Sequence, residues 1–334
     1  MTMDSTLLNN PNEPKKALTA QLLLAVAVLC IGVGIGGESA LRNDVSPTNE
    51  TVETVTRRAT SYDTVTISAQ SAIVMDARTG ELLYAKNANQ QLPLASLTKL
   101  MTALAAMAKI GGNATITIPQ EALAEEGGTT LEAGERWQLA DLVDQTLVAS
   151  SNAGAAAIAL AVGERIERAT TTTPRNAFVS YMNNYAAELG LTETFFLNPT
   201  GLDEGGSLSG AYGSAADVGS LIAFITLREP RLLRATQDLR VSSRTADNVL
   251  HRAKNTNTAA LRLPLLRGGK TGLTDLAGGN LAVTFDIAPD HPIVAVVLGS
   301  TESDRFTDIE RLVRATLRRH SLANSSFQIP DSEK

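Results

Sequence analysis

The sequence predicts an α/β (α+β) domain: one antiparallel five-stranded sheet, drawn from both ends of the folded region, flanked by helices and joined to a helical lobe. Three observations predict it. Strand-type runs stand at the two ends of the region, helix-period segments fill its middle, and an amphipathic helical stretch closes it.

Taken in order, Ser71 to Met75 and Leu82 to Ala85 are short apolar runs separated by Asp76-Ala77-Arg78-Thr79-Gly80-Glu81. A glycine-containing connection of that length reads as a hairpin. At Ser96 the period changes: Leu97, Leu100, Met101, Leu104, Ala105 and Ala108 recur at helical spacing, and Gly111-Gly112 stops the run. Leu139 to Ala149 and Ala153 to Val162 predict two more helices, meeting at Ser150-Ser151-Asn152. Ala177 to Leu189, ended by Gly190, predicts a fourth, and Asp217 to Leu227 a fifth. Strand character returns in Leu263 to Gly269, Asn280 to Ile287 and Ile293 to Leu298, bounded by Gly and Pro. Ser303 to Arg319 is the closing helix. An active site is expected between the sheet and the lobe.

Composition narrows the function. With 43% hydrophobic and 19% charged residues in 334, the chain has a globular composition and length for a sizeable core. A formal charge of −6 and 4% aromatics argue against a nucleic-acid binder, which needs a basic face and stacking platforms. The single cysteine, Cys30, excludes an internal disulfide and a cysteine-based metal site.

Residues 17–37 carry no charge, and their length matches the roughly 20 residues a helix needs to cross a bilayer. Lys15 and Lys16 precede the run, which places residues 1–16 in the cytoplasm and everything after Gly37 outside. The run reads as a retained transmembrane anchor or uncleaved signal; the rival is a cleaved signal peptide, for which Ser39-Ala40 supplies small residues. Within it, Gly32-Val33-Gly34-Ile35-Gly36-Gly37 imitates a dinucleotide-binding glycine pattern but lacks the flanking strand and amphipathic helix. Residues 38–66 are rich in Thr, Ser, Asn and Glu and read as a flexible linker. A catalytic domain over 67–321 and a polar tail over 322–334 complete the organisation.

Three strings carry the chemistry: Ser96-Leu97-Thr98-Lys99, Ser150-Ser151-Asn152 and Lys270-Thr271-Gly272. A serine hydroxyl is a weak nucleophile until an adjacent base takes its proton. Residues three apart share a helix face, so Lys99 reaches Ser96, and the first-turn position surrounds Ser96 with unpaired N–H groups. A lysine base must be neutral, with its pKa lowered from about 10.4 toward 7 by burial and by a second cation, for which Lys270 is the candidate. Ser150 and Asn152 sit at a break between helices, free to point into a cleft. There Asn152 offers both a donor and an acceptor to an amide substrate, and Ser150 a proton relay to the leaving nitrogen. Lys270-Thr271-Gly272 is expected to end a strand whose edge pairs with an extended peptide, Gly272 permitting close approach. Lys270 and Thr271 would bind a terminal carboxylate, and the N–H of Leu273 would be an oxyanion donor. Taken singly, the strings have bland readings: a helix N-cap before a surface lysine, capping by Ser and Asn, and a surface turn. Their conjunction carries the inference. The three histidines, His251, His291 and His320, accompany neither a Gly-x-Ser-x-Gly elbow nor a metal-ligand spacing, and read as exposed or structural.

On these strings the chain resembles the D-alanyl-D-alanine carboxypeptidases among the low-molecular-mass penicillin-binding proteins. Asp76-Ala77-Arg78-Thr79-Gly80, Asn198-Pro199-Thr200-Gly201-Leu202-Asp203 and Asn255-Thr256-Asn257 resemble further signposts of that family. The resemblance implies a β-lactamase/transpeptidase-like fold with no cofactor and no metal. It implies acylation of Ser96 with Lys99 as base, a proton network completed by Ser150 and Asn152, and a carboxylate held by Lys270 and Thr271. The substrate would be a peptidoglycan stem peptide ending in D-Ala-D-Ala, with β-lactams as covalent inhibitors and the site facing the cell wall. Two departures stand out: Ala153-Gly154 follows Asn152 where many relatives have Asp-Ala, and little chain follows the last helix for the C-terminal β-domain some relatives carry. A class A β-lactamase is the enzymatic alternative, but its Glu-x-x-Leu-Asn pattern is missing; Glu193 to Asn198 has one residue too many. A non-catalytic wall-binding homologue is the other.

Overall fold

A computed structural model describes residues 62–167 and 172–325. The segment proposed as an anchor, the residues preceding it and most of the linker lie outside that range. Among the described residues no helix is long and apolar enough to cross a membrane.

The strands are β1 (Ser71–Asp76), β2 (Leu82–Lys86), β3 (Leu92–Pro93), β4 (Thr115–Thr117), β5 (Arg136–Gln138), β6 (Phe195–Phe196), β7 (Ala211–Gly213), β8 (Arg240–Arg244), β9 (Leu250–Lys254), β10 (Leu266–Thr274), β11 (Gly278–Asp286) and β12 (Pro292–Ser300). The helices are α1 (Thr98–Ile110), α2 (Leu139–Ala149), α3 (Asn152–Glu167), α4 (Pro174–Glu188), α5 (Ala215–Arg228), the single turn α6 (Arg231–Arg234) and α7 (Asp304–Ser325). The main sheet has five strands in the order β10-β11-β12-β1-β2, every pair antiparallel, so both ends of the region build it.

Both faces of this sheet are covered, and the strand period sorts side chains between them. Ile73 and Met75 of β1, with Val294, Val296 and Leu298 of β12, face the core shared with the helical lobe. Ala72 and Val74, with Ile293, Ala295 and Val297, face a second core under α7. Strands buried on both sides therefore read as unbroken apolar runs. Helix α7 lays Ile309, Leu312 and Val313 on that second core. Its buried Asp308 accepts from the N–H groups of Ser68 (3.0 Å) and Ala69 (2.9 Å) and from Ser300 Oγ (2.7 Å), tying the first described segment to the last helix.

The helical lobe is organised round α1, whose residues Thr98–Ala106 are all buried. Caps explain the neighbouring helix starts: Thr173 precedes a proline and caps α4, and Ser214 accepts from the Asp217 N–H at the start of α5.

Two expectations about boundaries are corrected. Ser96 does not open the α-helix; it sits in a 3₁₀ turn, Ala95–Leu97, and α1 begins at Thr98. Asn280 Nδ2 donates to the carbonyls of Pro93 (2.9 Å) and Leu94 (3.1 Å), pinning that segment to the sheet before helical geometry sets in. The strand expected to stop near Gly269 runs instead from Leu266 to Thr274, so Lys270-Thr271-Gly272 lies within β10, not at its end. Pairing with β11 continues through Thr274↔Gly278, and this ladder overrides the weak strand preference of Gly and Lys.

Candidate active site

Three separate stretches of chain meet at the cleft between sheet and lobe, and local turn chemistry aims each one. The turn carrying Ser96 packs against β10 because Gly272 has no side chain. A Cβ there would lie 2.9 Å from Leu94 O and 3.3 Å from Ala95 Cβ. Gly272 thus admits the turn that carries Ser96, a different neighbour from the peptide anticipated by sequence. Gly201, at φ +76°, approaches from the other side; a Cβ there would come within 1.9 Å of Ala95 O.

At the second stretch Ser150 terminates α2 in the left-handed region, φ 57°, with its N–H on Thr146 O. Non-glycine residues in that region are uncommon and concentrate at functional sites. The capping duty falls to Ser151, whose Oγ accepts from the Gly154 N–H at 3.0 Å. That leaves the side chains of Ser150 and Asn152 for the cleft.

Lys99 is 0% exposed, and its Nζ lies 2.7 Å from Ser96 Oγ, 2.7 Å from Asn152 Oδ1 and 2.6 Å from the Thr200 carbonyl oxygen. Asn152 Nδ2 donates to Glu126 O at 2.7 Å, which fixes Oδ1 toward the amine. Two of the three neighbours of Nζ can therefore only accept. A neutral amine has two hydrogens for those two oxygens and one lone pair, which is left for the Ser96 hydroxyl. Burial lowers the Lys99 pKa to about 7, opposed by the charge of Glu125. The second cation invoked from sequence is not what depresses Lys99; burial is.

Lys270 is 1% exposed, and its Nζ donates to Ser150 Oγ (2.7 Å) and to Thr271 O (2.8 Å). Burial, and then the charges of Lys99 and Arg305, hold its pKa well below the ordinary lysine value. The Thr271 hydroxyl shares a 2.6 Å hydrogen bond with that of Thr256. Leu273 follows on the same edge strand, its side chain exposed. The structure therefore brings Ser96, Lys99, Ser150, Asn152, Lys270, Thr271, Gly272 and Leu273 to one cleft.

Sequence reasoning missed Thr200, whose carbonyl holds Lys99, and Arg305, whose Nη1 donates to Gly272 O at 2.7 Å. A signal for the first existed in the Asn198 string. Asn198 Oδ1 accepts from Thr200 N (3.1 Å), Thr200 Oγ1 (2.9 Å) and Gly201 N (2.7 Å), an Asx-type turn that presents the carbonyl. The other signposts are also turns: Asp76 Oδ1 caps the Arg78 and Thr79 N–H groups, and Asn255 Nδ2 bridges the Thr236 and Asp238 carbonyls. His251 and His291 are structural, paired with Glu135 and Asp76.

A serine hydroxyl against a buried lysine, in a two-lobed fold of sheet and helices, is the arrangement of a serine that an amine can activate. The family profile described as D-alanyl-D-alanine carboxypeptidase, peptidase S11, matches residues 56–302, and the chain belongs to that family. D-alanyl-D-alanine carboxypeptidase DacF of Bacillus subtilis is 31% identical over 252 residues, covering 73% of this chain and 61% of that protein. Carboxypeptidase DacC of Escherichia coli is 31% identical over 268 residues, with 74% and 60% covered. The chain spans about three fifths of the length of these curated relatives. Penicillin-binding protein D2 of Listeria monocytogenes, solved in its ampicillin-bound form, superposes with a TM-score of 0.62 at 27% identity, covering 75% of this chain and 98% of that one. The Streptomyces K15 DD-transpeptidase shares the fold at a TM-score of 0.66 and 22% identity, covering 76% and 98%.

Proposed function

We propose that this chain is a serine-type D-Ala-D-Ala carboxypeptidase, which removes the terminal D-alanine from peptidoglycan stem pentapeptides through an acyl-enzyme on Ser96. The observation that carries the reading is the buried Lys99 amine, with a pKa near 7, lying 2.7 Å from Ser96 Oγ. Neutral Lys99 takes the hydroxyl proton as Oγ bonds to the carbonyl carbon of the penultimate residue. The oxyanion faces the N–H groups of Ser96 and Leu273. The peptide C–N bond then breaks as the leaving nitrogen takes a proton relayed by Ser150, which Lys270 Nζ holds at 2.7 Å, and the proton on Lys99 is returned to that network. Water adds to the ester, releases the shortened peptide and restores Ser96. Thr271 and Lys270 hold the terminal carboxylate, and Arg305, on the Gly272 carbonyl, supplies positive charge nearby.

The same reading makes β-lactams covalent inhibitors. It holds the domain on the cell-wall side of a membrane, with residues 17–37 as anchor. Against the β-lactamase alternative, Glu125 (the carboxylate that bears on Lys99) is committed to Arg175 at 2.6 Å. Among the described residues, no carboxylate hydrogen-bonds Ser96, Lys99 or Asn152.

Intact-protein mass spectrometry after penicillin treatment tests the proposal, together with D-alanine release from a pentapeptide. A lasting adduct that maps to Ser96 and disappears in Ser96→Ala is the expected result. Rapid drug turnover would indicate a β-lactamase, and no adduct with no D-alanine would indicate a non-catalytic homologue. Membrane association of the full chain, lost on deleting residues 17–37, tests the anchor.

A further inference from the structure

Beside the catalytic residues lies a cavity of about 490 Å³ that the mechanism does not use. It is lined by Ser150, Ser151 and Asn152, by the loop beginning at Gly127, and by residues of β9. A volume of this order suits several residues of peptide rather than one alanine. Through Asn152, whose Oδ1 meets Lys99 Nζ at 2.7 Å, the cavity adjoins the Ser96 site.

The β9 wall is cationic. Along Leu250–Lys254 exposure alternates, so His251 and Ala253 turn inward while Arg252 and Lys254 stand out on the cavity side. These two are the only ionisable side chains among the cavity's lining residues. Neither takes part in an ion pair among the described residues, whereas three nearby acidic residues are already committed. Glu135 pairs with His251, Asp247 with Arg136 and Glu125 with Arg175. A chain with a net charge of −6 thus presents two cations, neither in an ion pair, to a cavity that touches Ser150 and Asn152.

We infer that this cavity is a specificity subsite for a second carboxylate of the peptide substrate, distinct from the terminal one, recognised by Arg252 and Lys254. The inference rests on the carboxypeptidase reading of Ser96 and adds a substrate class to it: acidic stem peptides over amidated ones. Partly exposed charges of this kind act through steering and modest contact energy, so the expected preference is roughly tenfold rather than absolute.

The test uses the full chain and two synthetic peptides ending in D-Ala-D-Ala, identical except that one carries an internal free carboxylate and the other its primary amide. Wild-type protein is expected to favour the acidic peptide by roughly tenfold in kcat/KM, with the ratio shrinking as salt rises. In the double variant Arg252→Gln, Lys254→Gln the ratio should fall close to one. Penicillin labelling of the wild-type Ser96 is the separate check on the underlying reading. Labelling with no preference, or a preference that survives the double substitution, overturns the subsite while leaving the carboxypeptidase standing. Absence of labelling overturns the underlying reading itself.

Discussion

The pH profile of acylation follows from the surroundings of one amine. Lys99 is displaced from an ordinary value of 10.5 to about 7 by burial. That displacement corresponds to about 5 kcal/mol of preference for the neutral form. Only neutral Lys99 has a lone pair for the Ser96 proton, so the second-order rate constant for acylation by penicillin tracks the deprotonated fraction. With a pKa near 7 that fraction is about one eleventh at pH 6 and about ten elevenths at pH 8. The rate should therefore rise about tenfold over this interval and flatten above it. Stopped-flow fluorescence with a labelled penicillin measures it directly. An unperturbed lysine would give about a hundredfold rise over the same interval and no plateau before pH 10. A profile of that shape, or one flat from pH 5 upward, would refute the assignment of Lys99 as the base.

Stability carries the same signature with a fixed sign. Between pH 7 and 10.5 the unfolded chain binds a proton at Lys99 that the folded chain excludes, so this group's cost to folding fades as pH rises and is fully present below 7. Lys99→Met should accordingly abolish acylation, and should gain stability relative to wild type at pH 6 compared with pH 9, read from urea midpoints. Thr271→Val should reduce kcat/KM for a free-acid peptide more than for its C-terminal ester, and equal losses would remove Thr271 from carboxylate recognition. Gly201→Ala should lower the thermal midpoint and the acylation rate together, because the added methyl meets Ala95 O at 1.9 Å and must push the Ser96 turn away. Its destabilisation should be about 2 kcal/mol or more, as expected where a left-handed glycine is also sterically enclosed.

Long-period features were legible in the sequence. The apolar runs of β1, β11 and β12 and the stripe of α1 are buried on the faces their periods imply, because those positions are fixed by the two cores. Ser96, Lys99, Ser150 and Asn152 were legible because each pairing depends on a local spacing or a helix break. Short, polar or charged strands were not. The β8–β9 hairpin alternates Arg, Ser, His and Lys, and it exists through ladder pairing and its packing on α2. Thr200 and Arg305 escaped because they serve the site through a main-chain oxygen and through a helix distant in sequence, neither of which leaves a residue-type pattern beside the motif.

The pairing of Ser71 with Leu298 has a kinetic corollary. The first long strand finds its central neighbour only when nearly the last one is available, so loop closure across most of the domain precedes any stable sheet. A ribosome-bound fragment that stops short of β12 leaves β1 with β2 alone, and an isolated two-stranded hairpin is marginal in water. Completion of the surroundings of Ser96, which Asn280 of the same sheet pins through the Pro93 and Leu94 carbonyls, is thereby deferred until β12 has emerged.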